Sequence, residues 1–357
     1  MAEILGIGVT HSPSLISPDE LKNYSLTRAL RNERIPSEQK NPENWPDAMR
    51  KEWGDDEGYS SALYQRERLV AGFRKVRAEL DAFNPDVVLV WGDDQYENFK
   101  EDIIPAFCVM AYEEYECRPF TTKDGGTRPN VWGEPADKTF RYQGHPAARH
   151  LAGALIDDGF DVAYAYKPLH EPGLGHAFLN TLLYLDYDRI GFDYPVIPFA
   201  INCYGSRIIR NRGGASPQTV NGPDGVQREV PADPPGPSPK RCMELGAAAA
   251  RAMLESPWRV ALIASSSWSH AFLTEKNWWM YCDVESDRAR FEEFQAGNFE
   301  AWRGLTTAQV EDAGQQEMLN WMCLAGALSE LERKPEIVEF QQTYVHNSSK
   351  CLAVARP

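Results

Sequence analysis

The chain has 357 residues and a net charge of −15, with 43% hydrophobic and 25% charged residues. Those proportions belong to a globular protein with a sizeable core, and the acidic balance, with no basic patch beyond the short stretch Arg207 to Arg212, excludes a nucleic-acid partner. No apolar run reaches the ~18 residues of a membrane span, and the opening MAEILGIGVTHSPSL lacks the basic and long apolar regions of a signal peptide, so no membrane partner and a cytoplasmic location are expected.

Residues 3–10 (EILGIGVT) are apolar and β-branched and predict a first strand. Residues 12–60 are polar, with Pro, Asn and charge, and predict surface turns and short helices. The spacing of Leu63, Leu69, Val70, Phe73, Val76 and Leu80 predicts a helix over 61–83. DVVLVWGDD, 86–94, is a buried strand ending in acidic residues, and the helix before it makes it the next strand of a parallel unit. Further strands are expected at 106–112, 161–166, 195–201 and 258–265, and helices at 146–157, 174–184, 241–254, 284–296 and 315–331. Residues 205–240, dense in Gly, Pro, Asn and Arg, predict a long inserted loop, the kind that often serves as a lid or binding loop. The alternation predicts an α/β fold: a single large domain, 1–357, with a central mixed or parallel sheet flanked by helices on both faces and insertions at 12–60 and 205–240.

In open α/β sheets, ligands bind outside the carboxyl ends of the strands. His11 follows the first strand, Asp93 and Asp94 end the strand at 86–94, and His270 follows 258–265 through SSSWS. Any one histidine is more often structural than a ligand, but three strand ends with metal-binding or proton-moving groups coincide. Glu317 opens an otherwise apolar helix. It reads either as a partner of the helix dipole or as a metal ligand, because an unpaired buried charge is costly. Tyr96 and Trp268 suit a pocket wall or the core equally. The seven Cys lack CxxC spacing and read as buried reduced thiols.

An ordered series of segments carries a family resemblance: THSPSL, VVLVWGDDQYENFKEDIIPAF, QGHPAARHLAGALIDDGFDV, LGHAFLNTL, VIPFAIN, PKRCMELGAAA, SSSWSH and QQEMLNWMCLAGAL. In that order they resemble the class III (LigB-type) extradiol dioxygenases, over most of the chain and least over 12–60 and 205–235. The resemblance implies an iron(II)-dependent enzyme that opens a catechol- or gallate-like ring with O2. It implies His11 and Glu317 as metal ligands and His176 as the catalytic base. It implies His145 as a second active-site histidine and His270 as another near the site.

One position departs from the family pattern. The second ligand histidine is expected in the turn after the second strand, where this chain reads Gly92-Asp93-Asp94-Gln95. Strand register puts Asp94 there, and a one-residue shift puts Gln95. With Asp94, the site holds two carboxylates, is oxygen-rich, and suits manganese(II) as well as iron(II). A neutral His near its ordinary pKa suits the base. The partners implied are a small aromatic substrate and O2, with a homo-oligomer as default. The family's separate small subunit has no counterpart within this chain, and 12–60 and 205–240 are long enough to act as a lid instead.

Overall fold

A computed structural model describes residues 2–21, 24–122, 124–170, 173–206, 219–221, 226–229 and 231–357. Its strands are β1 (Ile4–Val9), β2 (Val87–Asp93), β3 (Phe107–Met110), β4 (Glu114–Cys117), β5 (Phe140–Gln143), β6 (Ala163–Ala165), β7 (Val196–Ile201), β8 (Thr219–Asn221), β9 (Gln227–Glu229), β10 (Val260–Ser265), β11 (Glu336–Gln341) and β12 (Lys350–Ala355). The helices are α1 (Tyr24–Leu30), α2 (Ser37–Lys40), α3 (Asp47–Trp53), α4 (Tyr59–Phe83), α5 (Ala147–Asp157), α6 (His176–Leu185), α7 (Pro239–Leu254), α8 (Val284–Ala296), α9 (Phe299–Arg303), α10 (Thr307–Asp312) and α11 (Leu319–Glu330).

Eight strands form one sheet in the order β11, β12, β1, β10, β2, β7, β3, β6. The four central strands are parallel: Val9 pairs with Ser265, Ala264 with Trp91, and Trp91 with Phe199. β10 thus lies between the first two strands, which the chain order alone does not reveal. β12 runs antiparallel to β1, and β3 antiparallel to β7, so the sheet is mixed, as expected.

Every residue of β1, β2, β7 and β10 is buried. Successive side chains point to opposite faces. Leu5, Ile7, Val88, Val90 and Ile263 face one core with α4 and α6, while Val87, Leu89, Trp91, Leu262 and Phe199 face another with α5, α7 and α11. Two covered faces explain the unbroken apolar runs in the sequence. Each such side chain contributes about 1.5–3 kcal/mol on burial, and together they offset the several kcal/mol that each buried ion at the strand ends costs.

α7 and α11 cross closely. A Cβ on Gly246 would lie 1.8 Å from Cys323 O, and one on Gly326 would lie 1.9 Å from Met243 O. α7 starts with Ser238 accepting from Arg241 N and Pro239 in the first turn, the residue types that favour a helix start.

The described residues of segment 12–60 form turns and short helices up to the start of α4 at Tyr59, as expected. Leu26, Ile35, Trp45 and Met49 build a separate small core with Met280 and Val345. Of the predicted loop 205–240, residues 207–218, 222–225 and 230 lie outside the described residues, including the basic stretch Arg207 to Arg212. The described part contains the β8–β9 pair. The final strands β11 and β12 and the β4–β5 hairpin were not expected from the sequence. All seven cysteines are free and buried, and among the described residues no helix is long and apolar enough to cross a membrane.

Candidate active site

The parallel strands end on one edge of the sheet. Asp93 is the last residue of β2, His11 comes two residues after β1, and Tyr204 three after β7. The helix starts supply the rest: His176 opens α6, and Glu317 lies in the short turn of helix Gln316–Met318 before α11. Four expected residues, His11, His176, His270 and Glu317, therefore meet.

His11 is buried, and its Nδ1 lies 3.0 Å from Ser265 O. A carbonyl oxygen only accepts, so Nδ1 carries the proton and Nε2 presents its lone pair. That Nε2 lies 3.4 Å from Glu317 Oε2 and 3.9 Å from Asp93 Oδ1. Nε2 of His270 lies 3.3 Å from the same Glu317 oxygen. Ligand-type atoms of His11, Asp93 and His176 all fall within 4.8 Å of one another.

The second carboxylate is Asp93, one residue before the expected Asp94. Tyr204 Oη sits between the two carboxylates, 3.0 Å from Asp93 Oδ2 and in contact with Glu317 Oε1, with one proton for the pair. Asn320 Nδ2 donates to Asp93 Oδ1 at 3.1 Å. Asp94 turns instead to its own loop, accepting from the backbone N–H groups of Glu97 (3.1 Å), Asn98 (2.7 Å) and Phe99 (3.0 Å). Three unmet backbone donors in a tight turn hold Asp94 in place. Gln95 follows on that turn, half-buried.

His145 is not brought to this edge. Its ring packs edge-on against Trp258, 5.1 Å between centroids, just before β10, and Asp86, just before β2, is the charge acting on it. Both mark the amino ends of strands that are roughly 20 Å long, so His145 sits at the opposite edge from His11. Trp268 is core, packed against Trp302 and Trp321.

The serines after β10 brace the ligands rather than face outward. Ser266 Oγ donates to Glu317 O at 2.8 Å, Ser267 Oγ bonds Thr10 Oγ1 at 2.7 Å, and Ser265 Oγ donates to Ala177 O at 2.7 Å. Asn180 Nδ2 donates to His11 O at 2.9 Å.

The charges are interdependent. Burial and the neighbouring Glu317 charge raise the Asp93 pKa, whereas Glu317 is held low against its own burial by His270, His11 and the Tyr204 hydroxyl. Burial pushes the His270 pKa down, against the pull of the Glu317 charge. For His176, burial opposes the charge, but Glu97, Asp93 and Glu317 outweigh it and draw the imidazole up to about 10. The neutral base expected from the sequence is thus not what this arrangement favours while two uncompensated carboxylates face the ring.

These residues fit a divalent cation. Glu317 Oε2 is buried with no hydrogen-bond partner among the described residues, a costly state for a carboxylate oxygen. Imidazole nitrogens and a second carboxylate converge on it, a ligand set of the kind that binds iron(II) or manganese(II). Tyr204, Asn320 and Glu97 were missed in the sequence. The strand-end rule that singled out His11 applies equally to Tyr204 in INCYG.

Comparison with known proteins covers part of this edge. Residues 230–352, which include β10, His270 and Glu317, match the family model described as the catalytic LigB subunit of aromatic ring-opening dioxygenase. Over those residues the chain is similar to that family. A 2,3-dihydroxyphenylpropionate/2,3-dihydroxicinnamic acid 1,2-dioxygenase 2 from Pseudomonas putida is 29% identical over 36% of this chain and 35% of its own length. The corresponding 1,2-dioxygenase from Photorhabdus laumondii is 25% identical over 56% of this chain and 47% of that protein. That from Paraburkholderia phymatum is 27% identical over 72% and 79%. The chain therefore spans about a third and about a half of the first two of these relatives.

Proposed function

We propose that this chain opens the ring of a vicinal dihydroxylated aromatic with O2, using divalent iron held by His11, Asp93 and Glu317. The observation that carries this reading is the buried Glu317 Oε2, which makes no hydrogen bond among the described residues and is faced by His11 Nε2 at 3.4 Å and His270 Nε2 at 3.3 Å. The names of the relatives support the reaction class. Manganese(II) suits the two-carboxylate set as well.

A cation bound here supplies Lewis-acid polarisation of the substrate hydroxyls and a common meeting point for substrate and O2. The remaining work falls to the chain. Tyr204 and Asn320 fix the Asp93 carboxylate, and Ser265 fixes the His11 tautomer, so the ligands are preorganised. His176 takes the proton from a substrate hydroxyl and returns it later in the turnover. Its high pKa rests partly on the charges of Asp93 and Glu317. Glu97 is its first support, so a cation that offsets Asp93 and Glu317 would lower that pKa while leaving the ion pair to Glu97 in place. His270, buried, walls the site beside Glu317.

The test is oxygen uptake by anaerobically purified chain loaded with iron(II) and given 2,3-dihydroxyphenylpropionate, catechol or gallate. Stoichiometric O2 consumption and a yellow ring-opened product are expected. Loaded protein that consumes no O2 with any of the three overturns the reading. The two-carboxylate set also favours a second reading, hydrolytic or lyase chemistry on a non-catecholic substrate, which turnover under argon would select.

A further inference from the structure

We propose that Glu97 is a positioning residue that locks the His176 ring to the start of α6, and that the turn after β2 is built to deliver it. The inference deepens the proposed function and rests on it for the role of His176.

One oxygen does both jobs. Glu97 Oε2 accepts from the backbone N–H of His176 at 2.9 Å and lies 2.9 Å from the ring Nδ1. A carboxylate oxygen accepts, so Nδ1 carries a proton, and Nε2 is left as the other ring nitrogen. The His176 ring centroid is 4.9 Å from that of His11, nearly perpendicular to it. A cap alone would need only the backbone bond, because the first N–H groups of any helix lack internal partners. The bond to the ring is additional. Sharing one oxygen makes the ring orientation and the helix start a single unit.

The rest of the turn points the same way. Asp94 gathers the N–H groups of Glu97, Asn98 and Phe99 and so fixes where Glu97 and Asn98 leave the chain. Asn98 Oδ1 accepts from Gly175 N at 2.7 Å, and its Nδ2 donates to Gly173 O at 3.0 Å. A Cβ on Gly175 would lie 2.8 Å from Glu97 Oε2, 3.2 Å from Asn98 Oδ1 and 3.3 Å from Asp94 Oδ1. Any side chain there would press on the carboxylate of Glu97 and the amide of Asn98, so glycine suits the close approach of turn to helix start. The segment Asp94–Phe99 thus orients the proton-transfer group from behind. Carboxylate partners that fix an imidazole tautomer are a known means of tuning such sites, at about 10- to 100-fold in activity.

The experiment uses the full chain, loaded with zinc as a diamagnetic ion for nitrogen-15 NMR of labelled histidines and with iron(II) for turnover. Wild type is expected to show a strongly downfield ring N–H at Nδ1 of His176, assigned by its loss in His176→Ala. In Glu97→Gln that resonance moves upfield, zinc stoichiometry is kept, and kcat falls about 10- to 100-fold with little change in KM. Asn98→Ala, which loosens the same turn without touching the ring, keeps the downfield resonance. A Glu97→Gln protein with wild-type resonance and wild-type kcat overturns the proposal. If no diol is turned over by wild type, the proposed function fails, while the resonance still decides the role of Glu97.

Discussion

Asp93 and Asp94 are neighbours in the chain, yet their carboxylates serve opposite surroundings. Asp93 Oδ1 faces His11 Nε2 at 3.9 Å and accepts from Asn320, whereas Asp94 closes its own turn through three backbone N–H groups. Asp93→Asn is therefore expected to weaken divalent-ion binding by more than about 100-fold, beyond the range typical of outer partners. Asp94→Asn keeps an acceptor oxygen, binds the ion normally and loses about 1–2 kcal/mol of stability. Titration calorimetry with manganese(II) and urea denaturation separate the two, and stronger metal loss in Asp94→Asn would reverse the assignment.

His145 lies against Trp258 at the far edge of the sheet. His145→Ala is expected to leave kcat and metal content at wild-type values and to cost about 1 kcal/mol from the bond its Nδ1 accepts from Ala147 N. Steady-state kinetics on the iron-loaded protein check this. A drop in kcat comparable with that of His176→Ala would restore His145 to the chemistry.

The α7–α11 crossing is closed to side chains. A methyl at position 326 would meet the backbone carbonyl of Met243 at 1.9 Å, and backbone cannot yield as a flexible side chain does. Gly326→Ala is expected to destabilise the chain by at least about 2 kcal/mol, read by urea denaturation. Because Glu317 immediately precedes α11, metal affinity falls in the same variant.

Lys350 on β12 is buried, with Nζ donating to Ser348 O at 2.7 Å and His346 O at 3.3 Å. Burial holds its pKa down to about 8, against 10.5 for an ordinary lysine. Between those values the unfolded chain binds more protons than the folded one, so this contribution to stability rises with pH. Below pH 8 both states are protonated and the full cost of the buried charge is present. Relative to Lys350→Met, wild type is expected to gain up to about 3 kcal/mol from pH 8 to pH 10.5. A flat difference across that window would show Lys350 to be solvated.

The strands at 86–94 and 258–265 were legible because burial on both faces removes polar residues from the run. β11 was not, since EIVEFQ is half-exposed on the outer strand and looks like amphipathic loop; β12 is buried throughout and was missed all the same. Segment 12–60 was legible in kind, but not its packing on Met280 and Val345, which are remote in sequence.

The amino-acid sequence alone determined the α/β layering, the strand ends and the placing of His11 and His270 there, because apolar periodicity and turn chemistry are local, while the family resemblance supplied His176 and the ligand reading of Glu317. Tertiary structure decided which carboxylate of Gly92-Asp93-Asp94-Gln95 faces them, that Tyr204 bridges Asp93 and Glu317, and that His145 stands apart. Those outcomes depend on inter-strand register, on β10 lying between β1 and β2, and on competition between backbone donors and distant side chains for the same oxygen atoms.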